Sequence, residues 1–216
     1  MKKSLTTISI EVLSKMFNIA VDNDWLVKNP MKKGMRFPLK NYVIRYLTKE
    51  EEEKLLSVMP DFFKPLFTTA LHTGLRKGNL INLKWEQIDF NLGIIKIPEN
   101  KGNKNIMIKM TKTLEQTLWE LKKRNTNDYV FINGYTGDKF YDFGRIWNRI
   151  KRKAGVDNLR FHDLRHTVGT RLAEAGIPIN TIKELLAHSD IRTTMRYVHN
   201  VSADMEKAMN ILDSYN

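Results

Sequence analysis

Tyr197 follows, along the chain, a set of side chains that can bind and protonate phosphate groups. His188 lies nine residues before it, His162 and Arg165 stand in the segment FHDLRH, and Arg76 stands in TGLRKGNL. A phenol alone is a poor nucleophile near neutral pH, because its pKa is about 10. Attack on phosphorus becomes feasible when cationic and hydrogen-bonding groups gather a phosphate in front of the hydroxyl.

Phosphoryl transfer from DNA needs an in-line nucleophile, a clamp on the nonbridging oxygens and a proton for the leaving oxygen. Arginine suits the clamp because its planar guanidinium donates paired hydrogen bonds and stays charged. Arg76 and Arg165 can therefore flank one phosphate from opposite sides. His162 and Arg165 are three residues apart and share one face of a predicted helix. Lys101, in the predicted hairpin turn NKGNK, can protonate the leaving 5′ oxygen.

Composition limits the class of protein. The chain has 216 residues, a length that suits one substantial domain or one domain plus part of another. Hydrophobic residues make up 42% of it, enough to bury a normal core. A net charge of +12 favours a polyanionic partner, usually nucleic acid. The absence of cysteine excludes disulfides, thiol nucleophiles and thiolate metal sites, and it fits a reducing cytoplasm. No apolar run approaches the ~20 residues that span a bilayer, and we expect no signal peptide.

The N-terminal quarter contains an amphipathic pattern and then a basic segment. Residues 5–22 have helical apolar spacing, and the following stretch carries two prolines and a glycine that indicate a linker. Seven basic residues and no acidic one lie between Asp24 and Glu50. A solvated linker and a strap along a phosphate backbone explain this run equally well.

The pattern after residue 47 predicts a mainly helical domain with a small sheet. Thr48 and Glu51 fit a capping box at the first helix, and Gly74 can end the second helix in a left-handed conformation. Short runs of β-forming residues within 87–109 predict three antiparallel strands, and one more short strand is expected at Tyr129–Ile132. Helices are predicted at 49–58, 61–73, 111–124, 139–153, 161–175, 178–187 and 202–213.

Taken together, these motifs resemble the catalytic domain of the tyrosine recombinase, or phage integrase, family. TGLR resembles the family's first arginine motif, and NKGNK the hairpin that carries a lysine. HDLRH matches its histidine-x-x-arginine motif, and LLAHSDIRTTMRYVH resembles the block that holds the second histidine and the tyrosine. The resemblance covers roughly residues 45–200, and the order and spacing of the motifs are highly specific. The catalytic positions it indicates are Arg76, Lys101, His162, Arg165, His188 and Tyr197.

The resemblance implies an α+β fold, mainly α-helical, with a small three-stranded antiparallel sheet. It implies that Tyr197 attacks a DNA phosphodiester, which leaves a 3′-phosphotyrosyl bond and a free 5′ hydroxyl. Arg76, Arg165 and His188 would stabilise the pentacoordinate phosphorus. His162 would assist proton transfer, and Lys101 would be the general acid. No metal or other cofactor is implied.

It also implies a domain organisation and partners. Residues 1–26 resemble the last helix of an otherwise missing core-binding domain, 27–47 form the basic linker, and 48–216 form the catalytic domain with a tail helix from about 202. The chain thus resembles a fragment. The implied partner is double-stranded DNA at a specific site, bound by a homotetramer that assembles through the tail helix in the prokaryotic cytoplasm, with the nucleoid. The expected DNA contacts outside the catalytic set are Lys28, Lys32, Lys33, Arg36 and Lys104.

Two positions depart from the family pattern, and three alternatives stay open. Asn79 replaces a residue that is often acidic, and Ala187 replaces the usual glycine before the second histidine. A non-catalytic helix-turn-helix DNA-binding protein would explain residues 172–186 and the basic charge. A degenerate integrase remnant would bind DNA without recombining it. His162 and His166 could form half of a metal site, although Asp163 replaces the glutamate of the H-E-x-x-H motif and a structural role for His166 is favoured.

The catalytic interpretation carries an expectation about one substitution. We expect Arg165→Ala to abolish DNA cleavage while largely preserving the fold, because a clamp residue on a helix face need not stabilise the domain. Loss of the folded state would instead make Arg165 structural.

Overall fold

A computed structural model describes residues 2–31, 44–98, 105–197, 209–210 and 212–214, with the backbone alone at 2–9 and 11. The chain divides into two compact units, Met1–Val43 and Ile44–Asn216. No helix within the described residues is long and apolar enough to cross a membrane.

The smaller unit contains helix α1, Lys2–Asp22, which includes the predicted helix at 5–22. The chain turns back after α1, since Asp24 adopts a left-handed backbone with φ of +58°. Asn29 Nδ2 then donates hydrogen bonds to the Ser14 carbonyl at 2.9 Å and to Asn18 Oδ1 at 2.5 Å. These bonds hold the segment after α1 against the helix.

The larger unit opens with two helices that end as the sequence predicts. Helix α2 is Lys49–Val58, and Thr48 forms the expected capping box with Glu51. Helix α3 is Lys64–Thr73, and it ends at Gly74 with φ of +64°. Helix α4, Lys77–Ile81, follows at once.

The three predicted strands form an antiparallel sheet in the order β1-β2-β3. They are β1 Ile88–Asp89, β2 Ile94–Ile97 and β3 Ile106–Lys109. Ile95 pairs with both Ile88 and Ile108, and all three side chains are buried. The alternation of buried and exposed residues along β2 and β3 therefore places one face of the sheet on the core.

Five more helices follow in the larger unit up to Tyr197. They are α5 Lys112–Arg124, α6 Gly144–Ala154, α7 Asp163–Glu174, α8 Ile179–Leu185 and α9 Ile191–Met195. The sequence did not predict the short helix α9. The predicted tail helix at 202–213 lies mostly outside the described residues.

Two local predictions were wrong. The helix predicted at 139–153 begins only at Gly144, because Lys139 pairs with Ile132 in an isolated β-bridge and the Asp142 carboxylate accepts the Gly144 N–H. The strand expected at Tyr129–Ile132 is reduced to two isolated bridges, from Tyr129 to Lys84 and from Ile132 to Lys139. These bridges tie the segment into the domain without forming a ladder.

The hydrophobic core of the larger unit has two parts. An aromatic cluster around Phe63, Phe143 and Trp147 joins α3 to α6, with ring centroids 5.3 Å apart for Phe63 and Phe143. A second, smaller cluster packs α7, α8 and the end of α9 together. Its buried members are Ile44, Val168, Ile182, Leu186 and Tyr197.

Candidate active site

The N-terminal end of α7 is fixed by a buried carboxylate. Asp163 is completely buried and accepts hydrogen bonds from the Arg160 backbone N–H and guanidinium, both at 2.7 Å. One turn later, Thr167 Oγ1 donates to the Asp163 carbonyl and accepts from the Leu47 N–H, both at 2.8 Å. This anchoring sets the rotation of α7, and hence the directions of His162, Arg165 and His166 on it.

Two arginines lie side by side over neighbouring carbonyl groups. Arg165 is only 5% exposed, and it donates to the Gly74 carbonyl at 2.7 Å and to the Leu186 carbonyl. Arg76, at the start of α4, donates to the next carbonyl, that of Ala187, at 3.1 Å. Burial, with a further contribution from Arg76, lowers the pKa of Arg165 to about 10, so the guanidinium stays charged at neutral pH.

The carbonyls that hold the arginines depend on two left-handed residues. Gly74 has φ of +64°, which strongly favours glycine, and a Cβ atom there would lie 2.5 Å from Leu186 Cδ2, so any larger residue would strain the backbone and displace Leu186. Ala187 adopts φ of +46°, a conformation that disfavours residues with a side chain. Glycine would adopt this backbone freely, and Ala187 adopts it at some cost in free energy.

His188 is held from the side by a buried threonine. Its Nδ1 lies 2.9 Å from the hydroxyl of Thr194, which is completely buried on α9. Burial, together with the charges of Arg165 and Arg76, lowers the pKa of His188 to about 4. At neutral pH the ring is therefore uncharged, and one of its nitrogens is committed to Thr194.

Tyr197 lies beneath these groups, at the edge of the second core cluster. Its side chain is 3% exposed, its ring stacks on His188 at 6.3 Å, and its hydroxyl lies 3.0 Å from His166 Nδ1. The ring packs on Gly169, where a Cβ atom would come within 2.5 Å of it. Burial raises the pKa of Tyr197, while the charges of Arg165 and Arg196 oppose the increase.

His162 stands at the solvent edge of the same group. It is exposed, and its ring meets the ring of His166 edge to face at 5.0 Å. The surrounding side chains partly desolvate the ring and so lower its pKa, with contributions from Arg165 and Arg160. The described residues contain no group of three or more metal-ligating side chains, and the Asp163 carboxylate is already bonded to Arg160. Nothing in the described geometry supports a metal site on His162 and His166.

The structure brings five of the six predicted catalytic residues into one place: Arg76, His162, Arg165, His188 and Tyr197. Lys101 lies outside the described residues, as do Lys32, Lys33, Arg36 and Lys104. Lys28 is described, and it is exposed in the smaller unit.

Sequence reasoning missed two contributors to this arrangement. His166 bonds the tyrosine hydroxyl, and its position one residue after Arg165 was a weak signal that a structural role explained as well. Thr194 orients His188, and its spacing of three residues from Tyr197 would have indicated the contact only if helix α9 had been predicted.

A third missed feature is the basic surface of helix α6. Its sequence, GRIWNRIKRKA, contains no acidic residue, and Arg145, Arg149 and Arg152 are exposed at a spacing that places them on one face. The opposite face is anchored in the core by Trp147 and Ile150. The helix therefore presents a row of positive charge to solvent.

Comparisons with known proteins identify relatives of this chain. The integrase of Salmonella phage P22 is 32% identical over 203 residues, which cover 83% of this chain and 50% of that protein. Tyrosine recombinase XerA of Pyrococcus furiosus is 33% identical over 180 residues, which cover 78% of this chain and 63% of XerA. The chain thus spans about half of the length of the phage relative and somewhat less than two thirds of XerA.

Solved structures show the same fold. The Tn1549 transposon integrase, in complex with a circular intermediate DNA, superimposes with a TM-score of 0.76 at 21% identity, over 94% of this chain and 78% of that one. A crystal structure of XerA recombinase gives 0.64 at 26% identity, over 79% of this chain and 65% of that one. These similarities confirm the predicted fold, which is mainly α-helical with a small antiparallel sheet and resembles tyrosine recombinase catalytic domains.

The family model described as "Phage integrase family" matches residues 45–203, which include every residue of the site described above. This match covers most of the chain and agrees with the sequence motifs, the fold and the relatives. The chain belongs to the phage integrase family.

Proposed function

We propose that this chain is the catalytic part of a site-specific DNA recombinase that cleaves and rejoins DNA through a 3′-phosphotyrosyl intermediate. The observation that carries the proposal is the pairing of Arg76 and Arg165 on the carbonyls of Leu186 and Ala187. The next residue is His188, whose ring stacks on that of Tyr197. A clamp for phosphate oxygens and a candidate nucleophile therefore both contact the turn formed by residues 186–188.

The chemistry assigns a role to each group. The two guanidiniums bind the nonbridging oxygens and offset the charge that develops on the pentacoordinate phosphorus. His188 supports them when its Nδ1 accepts from Thr194, because its Nε2 then carries a proton to donate to a phosphate oxygen. His162, at the solvent edge, assists proton transfer.

Cleavage forms a bond from Tyr197 Oη to phosphorus and breaks the bond from phosphorus to the 5′ oxygen. Lys101 supplies the proton that this oxygen needs, and the free 5′ hydroxyl later reverses the reaction to rejoin a strand. No cofactor is required, because the phosphotyrosyl bond retains the energy of the phosphodiester.

The proposed DNA interface consists of basic surfaces. The charge of +12, the exposed row on α6 and the basic linker all favour a phosphate backbone. The linker contacts are Lys28, Lys32, Lys33 and Arg36, and Lys104 joins them from the hairpin. A DNA partner is supported by the Tn1549 integrase, whose solved structure contains DNA. Such a protein acts in the cytoplasm, with the nucleoid.

The sequence-based domain organisation and the assembly belong to the same proposal. Residues 1–26 serve as the last helix of a core-binding domain, 27–47 as the linker and 48–216 as the catalytic domain. The tail helix from about 202 assembles a homotetramer on DNA. Exposed Met209 and Leu212, three residues apart, support the tail assignment because they offer apolar contacts to a neighbouring protomer.

The test uses labelled, nicked suicide duplexes drawn from DNA that flanks the coding sequence. We expect the native chain to give a covalent protein–DNA adduct on denaturing gels and Tyr197→Phe to give none, because phenylalanine keeps the ring and removes the nucleophile. An equal yield of adduct with Tyr197→Phe would contradict the assignment of Tyr197.

The same assay separates the alternatives. A helix-turn-helix protein that only binds DNA would shift the duplexes in a salt-dependent manner and never form an adduct. A degenerate remnant would give the same result. Binding without adduct on every duplex would therefore refute the catalytic proposal and leave DNA binding.

A further inference from the structure

The hydrogen bond between Tyr197 and His166 points to a second histidine in the chemistry. We infer that His166 is the proton acceptor for Tyr197 during DNA cleavage, an inference that rests on the proposed function. His166 Nδ1 lies 3.0 Å from Tyr197 Oη, within reach for direct proton transfer. The sequence alone indicated only a structural role for His166.

The other two histidines of the site are less well placed to take this proton. His188 commits its Nδ1 to Thr194, and its ring lies face to face with the tyrosine ring at an interplanar angle of 22°. In that orientation its nitrogen lone pairs point along the ring plane, away from the phenol. His162 is exposed, and its described ring contact is with His166 instead of with Tyr197.

Helix α7 fixes the position of the Tyr197 hydroxyl beside His166. His166 and Gly169 are three residues apart and share a face of α7, so the imidazole and the bare glycine surface lie side by side. The tyrosine ring packs on Gly169 at a distance that any side chain there would prevent. The packing of the ring and the hydrogen bond of its hydroxyl therefore specify one position of the phenol.

The charges around His166 suit a proton acceptor. Burial lowers its pKa to about 4, helped by His162, Arg160 and Arg165 and opposed by Asp163. At neutral pH the imidazole is therefore uncharged, and its Nδ1 lone pair can accept the phenol proton. A phosphodiester that enters between Arg76 and Arg165 adds negative charge, which raises the pKa of His166 towards neutrality as the reaction proceeds.

The step balances without a further reactant beyond the general acid already assigned. Tyr197 Oη forms its bond to phosphorus while the phenol proton moves to His166 Nδ1, and the bond from phosphorus to the 5′ oxygen breaks. Lys101 protonates that oxygen. The imidazolium of His166 then loses its Nε2 proton to water, or returns the proton to Tyr197 when the strand is rejoined.

The test compares His166→Asn with the native chain on a duplex that gives a Tyr197-dependent adduct. Asparagine Oδ1 stands close to the place of Nδ1 and accepts the hydrogen bond, but it cannot take up the proton. We expect the single-turnover cleavage rate to fall about 10²–10⁴-fold, the range for loss of a general base. The matched control is His72→Asn, since His72 Nδ1 makes a similar 2.8 Å bond to the Thr111 hydroxyl, and we expect this variant to keep the native rate.

Two further readouts distinguish proton transfer from a merely structural role. The native rate falls as pH drops through the pKa of His166 in the DNA complex, because protonation removes the acceptor, and His166→Asn lacks this dependence. A second readout uses a duplex with sulfur in place of the 5′ bridging oxygen, because a thiolate leaves without a general acid. We expect this duplex to restore the cleavage rate of Lys101→Ala and to leave the cleavage rate of His166→Asn low. A His166→Asn rate within threefold of native, or full recovery on the sulfur duplex, would overturn the inference.

Nitrogen-15 NMR of the free native chain tests the geometry without any variant. We expect His166 to carry its proton on Nε2 and to accept at Nδ1 at pH 7, and a proton found on Nδ1 would also overturn the inference. Failure of the proposed function can be distinguished from failure of this inference, because the native chain would then form no covalent adduct with DNA, whichever nitrogen of His166 carries the proton.

Discussion

Arg165 combines a proposed catalytic role with a structural one. A clamp residue on an exposed helix face could be removed without harm to the fold, but Arg165 is buried and bonds carbonyls that belong to two different elements. It joins the end of α3, at Gly74, to the end of α8, at Leu186. We therefore expect the guanidinium to hold the site together in addition to its proposed role in binding phosphate, and we revise the expectation that Arg165→Ala largely preserves the fold.

Two substitutions at Arg165 separate these roles. We expect Arg165→Ala to lower the free energy of unfolding by about 3 kcal/mol, because two buried carbonyls lose their donor. Arg165→Lys keeps the charge and a hydrogen-bond donor, so we expect the variant to remain folded. We expect its adduct formation to fall sharply, because lysine cannot make the bidentate contact that a guanidinium makes with phosphate. Urea denaturation and the suicide-duplex assay measure the two effects, and a fully active lysine variant would exclude the paired clamp.

At the scale of elements, α7 carries the site because its contacts on two faces are fixed. One face holds Asp163 and Thr167 in the interior, and the neighbouring face presents His166 and Gly169 to the tyrosine. Helix α9 brings Thr194 to His188 and then ends just before Tyr197. The position of the proposed nucleophile thus depends on the contacts that Tyr197, two residues after the end of α9, makes with α7.

Gly169→Ala tests this packing. The added methyl would overlap the tyrosine ring, so we expect a loss of about 1–3 kcal/mol in the free energy of unfolding and displacement of Tyr197 from His166. Gly78→Ala is the matched control, because Gly78 lies in α4 with open space around its Cα and alanine favours the helix. Urea denaturation compares the two. Equal stability of both variants would show that the ring is not held against α7.

The sequence predicted most elements because their signals are local. The capping box at Thr48 and the left-handed Gly74 each depend on neighbouring residues, and both were found as predicted. Helix α9 has five residues, too few for a periodic pattern, so it was missed. The role of His166 depends on a residue 31 positions away, and no local pattern carries that contact.

At the scale of the whole molecule, positive charge is the feature that supports the proposed binding of DNA. The basic linker contributes Lys28, Lys32, Lys33 and Arg36, and the acidic residues that could neutralise it lie beyond its ends. Each phosphate contact releases condensed counterions, which makes binding steeply dependent on salt. Charge therefore sets affinity, whereas recognition of a particular sequence needs contacts with base edges.

Replacing these four linker residues with alanine tests the strap along the phosphate backbone. We expect the slope of log affinity against log salt concentration to become shallower by up to about 0.9 for each phosphate that the linker no longer neutralises. A charge-matched control removes exposed Lys15, Lys54, Lys112 and Lys123 instead, and it should change the slope less. Fluorescence anisotropy measures both slopes. Equal slopes for the two variants would show that the linker makes no phosphate contacts and is a solvated connection.

The central claim is that the Tyr197 hydroxyl is the point of covalent attachment to DNA. Mass spectrometry of a nuclease- and protease-digested adduct measures this directly. We predict a peptide containing Tyr197 that carries a nucleotide through its 3′ phosphate. Attachment to any other residue, or through a 5′ phosphate, would contradict the claim.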